Sequence, residues 1–387
     1  MVKKEEYYAL SRKTLIAGIV VIIIAAVLAG VYFKGGFDKY LGKNETKTAE
    51  IAPKFELIAI ENTACTECMN VSQAIEIIKG APVLNVTSDR IISFDSAEAK
   101  KLITKYEIER LPAFILKGKN LDAKLTPFEK KKDALVFGNS PPVYYDIKKD
   151  KVVGEVTVIA ITKPSCEKCF DITKLVSQLR NLGIDVVGEQ IAEYNSTTGK
   201  ALIKEYNITK IPTMILSEEA IEYDAVNKSW KDVGSIEKDG KLVLRTVNAP
   251  YYDLSAKKTK GLVDITYLTD KECTDCYSPT QFKSYFQQSL GMAFDTETTV
   301  DISSSEGKSL VKKYNITLVP TALFSKDLKE YPAVQQMWSQ MGKIVNGTYV
   351  FTQVDKLQGI KYKDLSTGDI LGEGPKEIKV NIGNQTQ

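Results

Sequence analysis

The sequence predicts an α/β protein: three tandem domains, each a central mixed sheet flanked by helices, behind one N-terminal transmembrane helix. Three observations predict it. All six cysteines fall in Cys-x-x-Cys pairs that share one flanking pattern. A proline preceded by Leu, Ile or Val follows each pair at a nearly fixed distance. One uncharged apolar run of membrane-spanning length stands near the N-terminus.

That run, Leu15 to Phe33 (LIAGIVVIIIAAVLAGVYF), is long enough at ~1.5 Å per residue to cross a hydrocarbon core of ~30 Å. It exceeds the ~7–15 residue apolar centre of a cleaved signal peptide, and no polar face breaks it. Residues 15–33 are therefore read as an anchor, 1–14 as a cytoplasmic segment and the polar stretch 34–52 as a linker. Flanking lysines and arginines lie on both sides and decide orientation weakly. The asparagines decide it better. Nine of fifteen sit in N-x-[ST] sequons: Asn44, Asn70, Asn85, Asn195, Asn207, Asn227, Asn315, Asn346 and Asn384. Chance would give about two. Such an excess implies a glycosylated and hence translocated chain. The expected placement is a single-pass cell-membrane protein with a cytoplasmic N-terminus and the bulk of the chain outside.

The repeats follow. A β-rich apolar run precedes each cysteine pair: Phe55–Ile60, Val156–Ile161 and Val263–Leu268. The pairs themselves are Cys65–Cys68, Cys166–Cys169 and Cys273–Cys276. Apolar residues at helical spacing come next, over 69–78, 170–182 and 277–290. Second strands are predicted over 83–94, 184–191 and 298–302, then helices capped at Asp95, Asn195 and Ser303. These helices share a Lys-x-Leu-(Ile/Val)-x-x-Tyr spacing and lead into YEIERLPAF, YNITKIPTM and YNITLVPTA. Pro112, Pro212 and Pro320 follow the first cysteines by 47, 46 and 47 residues. Downstream come a short strand (from Ala134, Lys241 and Thr348) and a tyrosine-containing turn whose tyrosines are read as packing. Copies two and three add Trp230 and Trp338, each four residues before a glycine. Seams near residues 150 and 258 divide the chain into domains 53–150, 151–257 and 258–387.

The order strand–CxxC–helix–strand–helix–(Ile/Leu/Val)-Pro-(Thr/Ala)–strand resembles the thioredoxin fold. YNITKIPTMIL resembles the segment that carries the thioredoxin cis-proline, and VTVIAITKPSCEKC the opening of a glutaredoxin. The tandem array is similar to protein disulfide oxidoreductases and isomerases. The resemblance covers about 60 residues per repeat. It implies three thioredoxin-like domains with Cys65, Cys166 and Cys273 as nucleophiles and Cys68, Cys169 and Cys276 as resolving thiols. It also implies cis-proline loops at Leu111–Pro112, Ile211–Pro212 and Val319–Pro320, whose backbone can pair with an extended substrate segment. Ala59, Ala160 and Tyr267 stand where that family usually carries a buried carboxylate.

Composition bounds the chemistry. The 387 residues suit about two to four domains. A net charge of +3, with no recognition motif, gives no case for nucleic acid. There is no histidine, so thiol and carboxylate chemistry remain. The leading expectation is dithiol–disulfide exchange on translocated proteins with thiols or disulfides, with no cofactor and no metal and with an unidentified redox partner. The competing expectation is a glycosylated scaffold with inert disulfides. A thiolate at a helix start is stabilised by unpaired N–H groups and the helix dipole. Glu67, Glu167 and Asp275 between the cysteines oppose that, favouring the oxidised form, with Lys168 sparing the second site.

Overall fold

A computed structural model describes residues 54–81, 84–119 and 127–373. The anchor 15–33, its flank 1–14, the linker 34–52, Asn44 and Asn384 lie outside the described residues. Among the described residues no helix is long and apolar enough to cross a membrane.

Each repeat builds a five-stranded sheet. In the first, the order is 85–93, 54–61, 113–118, 134–137, 129–131. Lys54–Glu61 and Asn85–Ser93 are parallel and the remaining pairs antiparallel. A parallel neighbour needs a crossover connection, and the helix Val71–Lys79 supplies it. Side chains alternate across the sheet. Phe55, Leu57 and Ala59 pack with Val71, Ala74, Ile75 and Ile78 on one face. Ile58 and Ile60 pack with Ala99, Leu102 and Tyr106 on the other. Both faces being covered, the strand reads as a continuous apolar run. Val156–Thr162 and Leu262–Thr269 take the place of Lys54–Glu61 in the other two sheets, which have the same order. Three mixed α/β units flanked by helices are consistent with tandem thioredoxin-like domains.

The elements depart from expectation at their ends. The first helices begin at Val71, Ile172 and Gln281, later than the apolar spacing suggests. Asn70 and Asp171 cap the first two by accepting from Gln73 N–H and Thr173 N–H. In the third repeat Pro279 disfavours a helical residue before it. Caps of the second helices lie one residue past those predicted, at Ser96, Ser196 and Ser304, each accepting from an N–H three residues on. The recurrent tyrosines Tyr106 and Tyr206 donate to Asp133 and Asp239. The second strand of the third repeat, Ala293–Asp301, starts five residues early. Trp230 and Trp338 lie on helices Asp224–Val233 and Pro332–Met341. Gly342 then starts a strand so close to the next that a Cβ would collide with the Val350 carbonyl.

The tyrosine turns prove to be hairpins, and they hold the repeats together. Tyr144–Asp146 with Lys151–Val153 pairs back onto Arg110–Leu111, forming a separate three-stranded sheet. Tyr251–Asp253 with Lys258–Lys260 does the same on Lys210–Ile211. Tyr362–Asp364 with Ile370–Leu371 does so on Leu318–Val319. The predicted seams at 150 and 258 thus fall inside hairpins. Buried Tyr144 donates to Glu222 Oε2 of the next repeat at 2.8 Å, and Tyr251 to Glu330 Oε2 at 2.7 Å.

Candidate active site

Each cysteine pair closes a turn between the first strand and the first helix of its repeat. All six cysteines are in the disulfides Cys65–Cys68, Cys166–Cys169 and Cys273–Cys276. The turns are tied locally: the N–H groups of Cys65, Cys166 and Cys273 donate to Asn62, Lys163 and Asp270 carbonyls at 3.0, 2.9 and 3.0 Å. Cys65 and Cys166 lie six residues before their helices and Cys273 eight. This corrects the expectation of a first cysteine at the helix start. The dipole's influence fades within about one turn, so local N–H groups and neighbouring charges dominate instead.

All three prolines have the configuration the resemblance implies, and the first lies near its cysteine pair. Leu111–Pro112, Ile211–Pro212 and Val319–Pro320 are cis. Cys68 Sγ lies 3.9 Å from the Leu111 carbonyl oxygen. Pro112 shares with Cys65, Cys68 and Asn70 a cleft of about 310 Å³. Hydroxyls pin the proline loops: Thr213 donates to Leu244 O and Thr321 to Phe351 O, both at 2.6 Å. The first repeat has Ala113 at that position, and Ser140 from a neighbouring segment donates to Pro112 O instead. The recurring Pro-Thr in copies two and three was the available signal for this contact. Tyr277, next to Cys276, donates to Pro320 O at 2.8 Å, and burial pushes its hydroxyl pKa up.

The three sites differ in access. Cys65, Cys68, Cys166, Cys169 and Cys276 are half-buried, whereas Cys273 is 6% exposed. Side chains from the hairpin segments lie beside the second and third turns. The Thr259 hydroxyl lies 3.6 Å from Cys166 Sγ. Lys363 Nζ pairs with Asp270 Oδ2 at 2.7 Å, and Lys361 Nζ with Asp275 at 3.0 Å. Sequence reasoning missed Thr259, Lys361 and Lys363; a lysine where the other hairpins carry Tyr145 and Tyr252 was the signal for Lys363.

Charges between the cysteines are redistributed as well. Lys168 reaches into the third repeat, pairing with Asp295 at 2.9 Å and donating to Phe294 O at 3.2 Å. Its charge is therefore not reserved for the second cysteine pair. Asp275 is offset by Lys361. Glu67 has no ion pair among the described residues. The Asp185 carboxyl of the second repeat is held above its usual range by burial and then by the charge of Glu67. Asp185 Oδ2 is buried without a hydrogen-bond partner.

Asn70, Asn85, Asn195, Asn207, Asn227, Asn315 and Asn346 are all exposed. Asn207, Asn315 and Asn346 adopt φ of 49°, 46° and 50°, a region asparagine tolerates better than most residues. That explains those asparagines but not the Thr two positions later.

No family model matches the chain, and no curated protein does. Among solved structures, the N-terminal domain of alkylhydroperoxide reductase AhpF from Enterococcus faecalis is 18% identical, with 43% of this chain and 82% of that chain covered and a TM-score of 0.15. ERdj5 form II is 14% identical, covering 79% and 41% at a TM-score of 0.14. Human ERp44 is 10% identical, covering 74% and 88% at 0.14. At such scores these likenesses carry no argument about function; the chain's own geometry does.

Proposed function

We propose that the chain is a membrane-anchored thiol–disulfide oxidoreductase whose three domains stand outside the cytoplasm. The observation that carries this reading is the first site: a half-buried Cys65–Cys68 disulfide at the wall of a cleft shared with the cis-proline Pro112. A strained or shielded packing role does not require such an opening. In the reduced form a Cys65 thiolate would attack a disulfide sulfur and release one thiolate. Cys68 would then attack Cys65, releasing the second thiolate and closing the pair. The reverse sequence reduces the pair, so the site passes two electrons in either direction. Cys166–Cys169 is the second candidate, with Thr259 beside its first sulfur.

The placement outside the cytoplasm rests on the apolar run 15–33 and on the sequons, seven of which are exposed. Disulfides persist in that compartment. The substrate is a thiol or disulfide compound found there. For the third pair a structural clamp is the better reading, because Cys273 is buried and its turn is tied by Lys361 and Lys363 through Asp275 and Asp270.

The test is a redox titration of the full chain against dithiothreitol buffers, with each pair followed by alkylation and peptide mass mapping. Reversible titration of Cys65–Cys68 and Cys166–Cys169 with an unchanged circular-dichroism spectrum is expected. Loss of folded signal in step with reduction would make these pairs structural. Glycopeptides at the exposed sequons of the mature protein test the compartment.

A further inference from the structure

The edge beside each proline is already occupied. Leu111 pairs with Tyr145, Ile211 with Tyr252 and Val319 with Lys363. Ile147, Leu254 and Leu365 donate to the Glu109, Thr209 and Thr317 carbonyls at 3.0, 2.9 and 2.8 Å. Antiparallel ladders alternate bonded and non-bonded pairs, and proline has no N–H to offer. The residue before each proline is therefore the bonded one, and its N–H and C=O are both spent on the chain's own hairpin. An extended polypeptide held by strand addition needs those groups free.

The hairpins are also fastened on their far side. Tyr144 and Lys149 of the first engage Glu222 of the next repeat at 2.8 and 3.5 Å. Lys151 pairs with Glu219 at 3.2 Å. Tyr251 of the second engages Glu330 at 2.7 Å. Swinging a hairpin away to admit a peptide would break both its sheet and a joint between repeats. What remains open at the first site is the cleft of about 310 Å³, bordered by Glu61, Asn62, Thr66 and Asn70. That volume is at the small end of ligand pockets, and its border is polar.

We infer that the substrate of Cys65–Cys68 is a small polar disulfide or thiol, not an extended polypeptide. This rests on the oxidoreductase reading and narrows the translocated-protein substrates expected from the sequence. The step balances without a further reactant. The reduced pair and RSSR give the Cys65–Cys68 disulfide and two RSH; a Cys65–SR bond forms and is then displaced by Cys68. Two electrons pass from the pair to RSSR, and two protons follow them to the released thiols.

The test uses the reduced full chain in detergent, mixed with cystine or with the disulfide-linked dimer of an unstructured linear peptide carrying one cysteine. Oxidation of Cys65–Cys68 is timed by acid quench, alkylation and mass mapping. Each rate is divided by that disulfide's rate with free dithiothreitol, which removes intrinsic reactivity. The normalised cystine rate is expected to exceed the peptide rate by about tenfold or more, the factor set by about 1.4 kcal/mol. Amide exchange at Tyr145 should be unaffected by the peptide. An equal or faster peptide, or loss of Tyr145 protection when peptide is added, overturns the inference while leaving the oxidoreductase reading intact. If neither disulfide oxidises the pair, both fall together.

Discussion

Lys363 Nζ lies 2.7 Å from Asp270 Oδ2, a carboxylate whose side chain is only 2% exposed. Lys363 belongs to the third hairpin, while Asp270 stands three residues before Cys273 and receives its N–H. Stripping a buried carboxylate of its counter-charge is strongly unfavourable, so the pair fastens the hairpin to the turn that carries Cys273. After mild reduction, Cys273 should be alkylated more slowly than Cys65 and Cys166. Lys363→Met should bring it level with them, as read by mass mapping. Equal rates in the parent chain would show that the hairpin shields nothing.

Glu67 and Glu167, between the cysteines of the first two pairs, have no ion pair among the described residues, whereas Asp275 has one. A nearby negative charge raises the cost of a thiolate and so favours the disulfide. Glu67→Gln should make the first pair more oxidising by about 20 mV, the scale of one screened charge at this range. Asp275→Asn, where Lys361 already compensates, should shift the third pair less. Potentials measured against dithiothreitol decide it; a larger shift for Asp275→Asn contradicts the charge argument.

Each joint between repeats includes one buried tyrosine that donates across it. Tyr144→Phe keeps the buried ring but removes its bond to Glu222. It should cost about 1.5–3 kcal/mol, as for a hydrogen bond to a charged partner. Urea unfolding should show a lower midpoint and a separated transition for the first repeat. An unchanged midpoint would leave the joint to its other contacts, the Lys149 and Lys151 ion pairs among them.

Asp185 gives a pH dependence of opposite sign to the usual carboxylate. Burial, then Glu67, raises its pKa when folded, so the folded state holds a proton that the unfolded state has lost. Stability should therefore fall as pH rises from the ordinary carboxylate value through the raised one. Asp185→Asn should raise the urea midpoint near neutral pH, with the gain shrinking as the solution is acidified. A gain independent of pH would assign the effect to packing.

Much of this architecture was legible because each signal was repeated. Both faces of Lys54–Glu61 are buried, so its apolar run was unmistakable, and the prolines recurred at a nearly fixed spacing. Local competition hid the element ends. Ser96, Ser196 and Ser304 outbid the preceding Asp95, Asn195 and Ser303 as caps, and Asn70 and Asp171 delayed the first helices. The hairpins were harder. Strands of three residues carry little periodicity, and their partners, such as Leu111 for Tyr145, lie far back in the chain. Their tyrosines were correctly read as packing, but nothing local showed that the packing crossed between repeats. The roles of Thr259 and Lys363 followed from that hidden pairing and stayed hidden with it.

The central claim is that Cys65 is a working nucleophile with Cys68 behind it. Its most direct measurement is a trap: full chain carrying Cys68→Ala, incubated with a small disulfide and analysed by intact and peptide mass. Removing the resolving thiol should leave a stable Cys65 mixed disulfide, formed faster than the adduct at an unstructured control thiol. A Cys65 that gathers no adduct while the fold remains intact would contradict the claim.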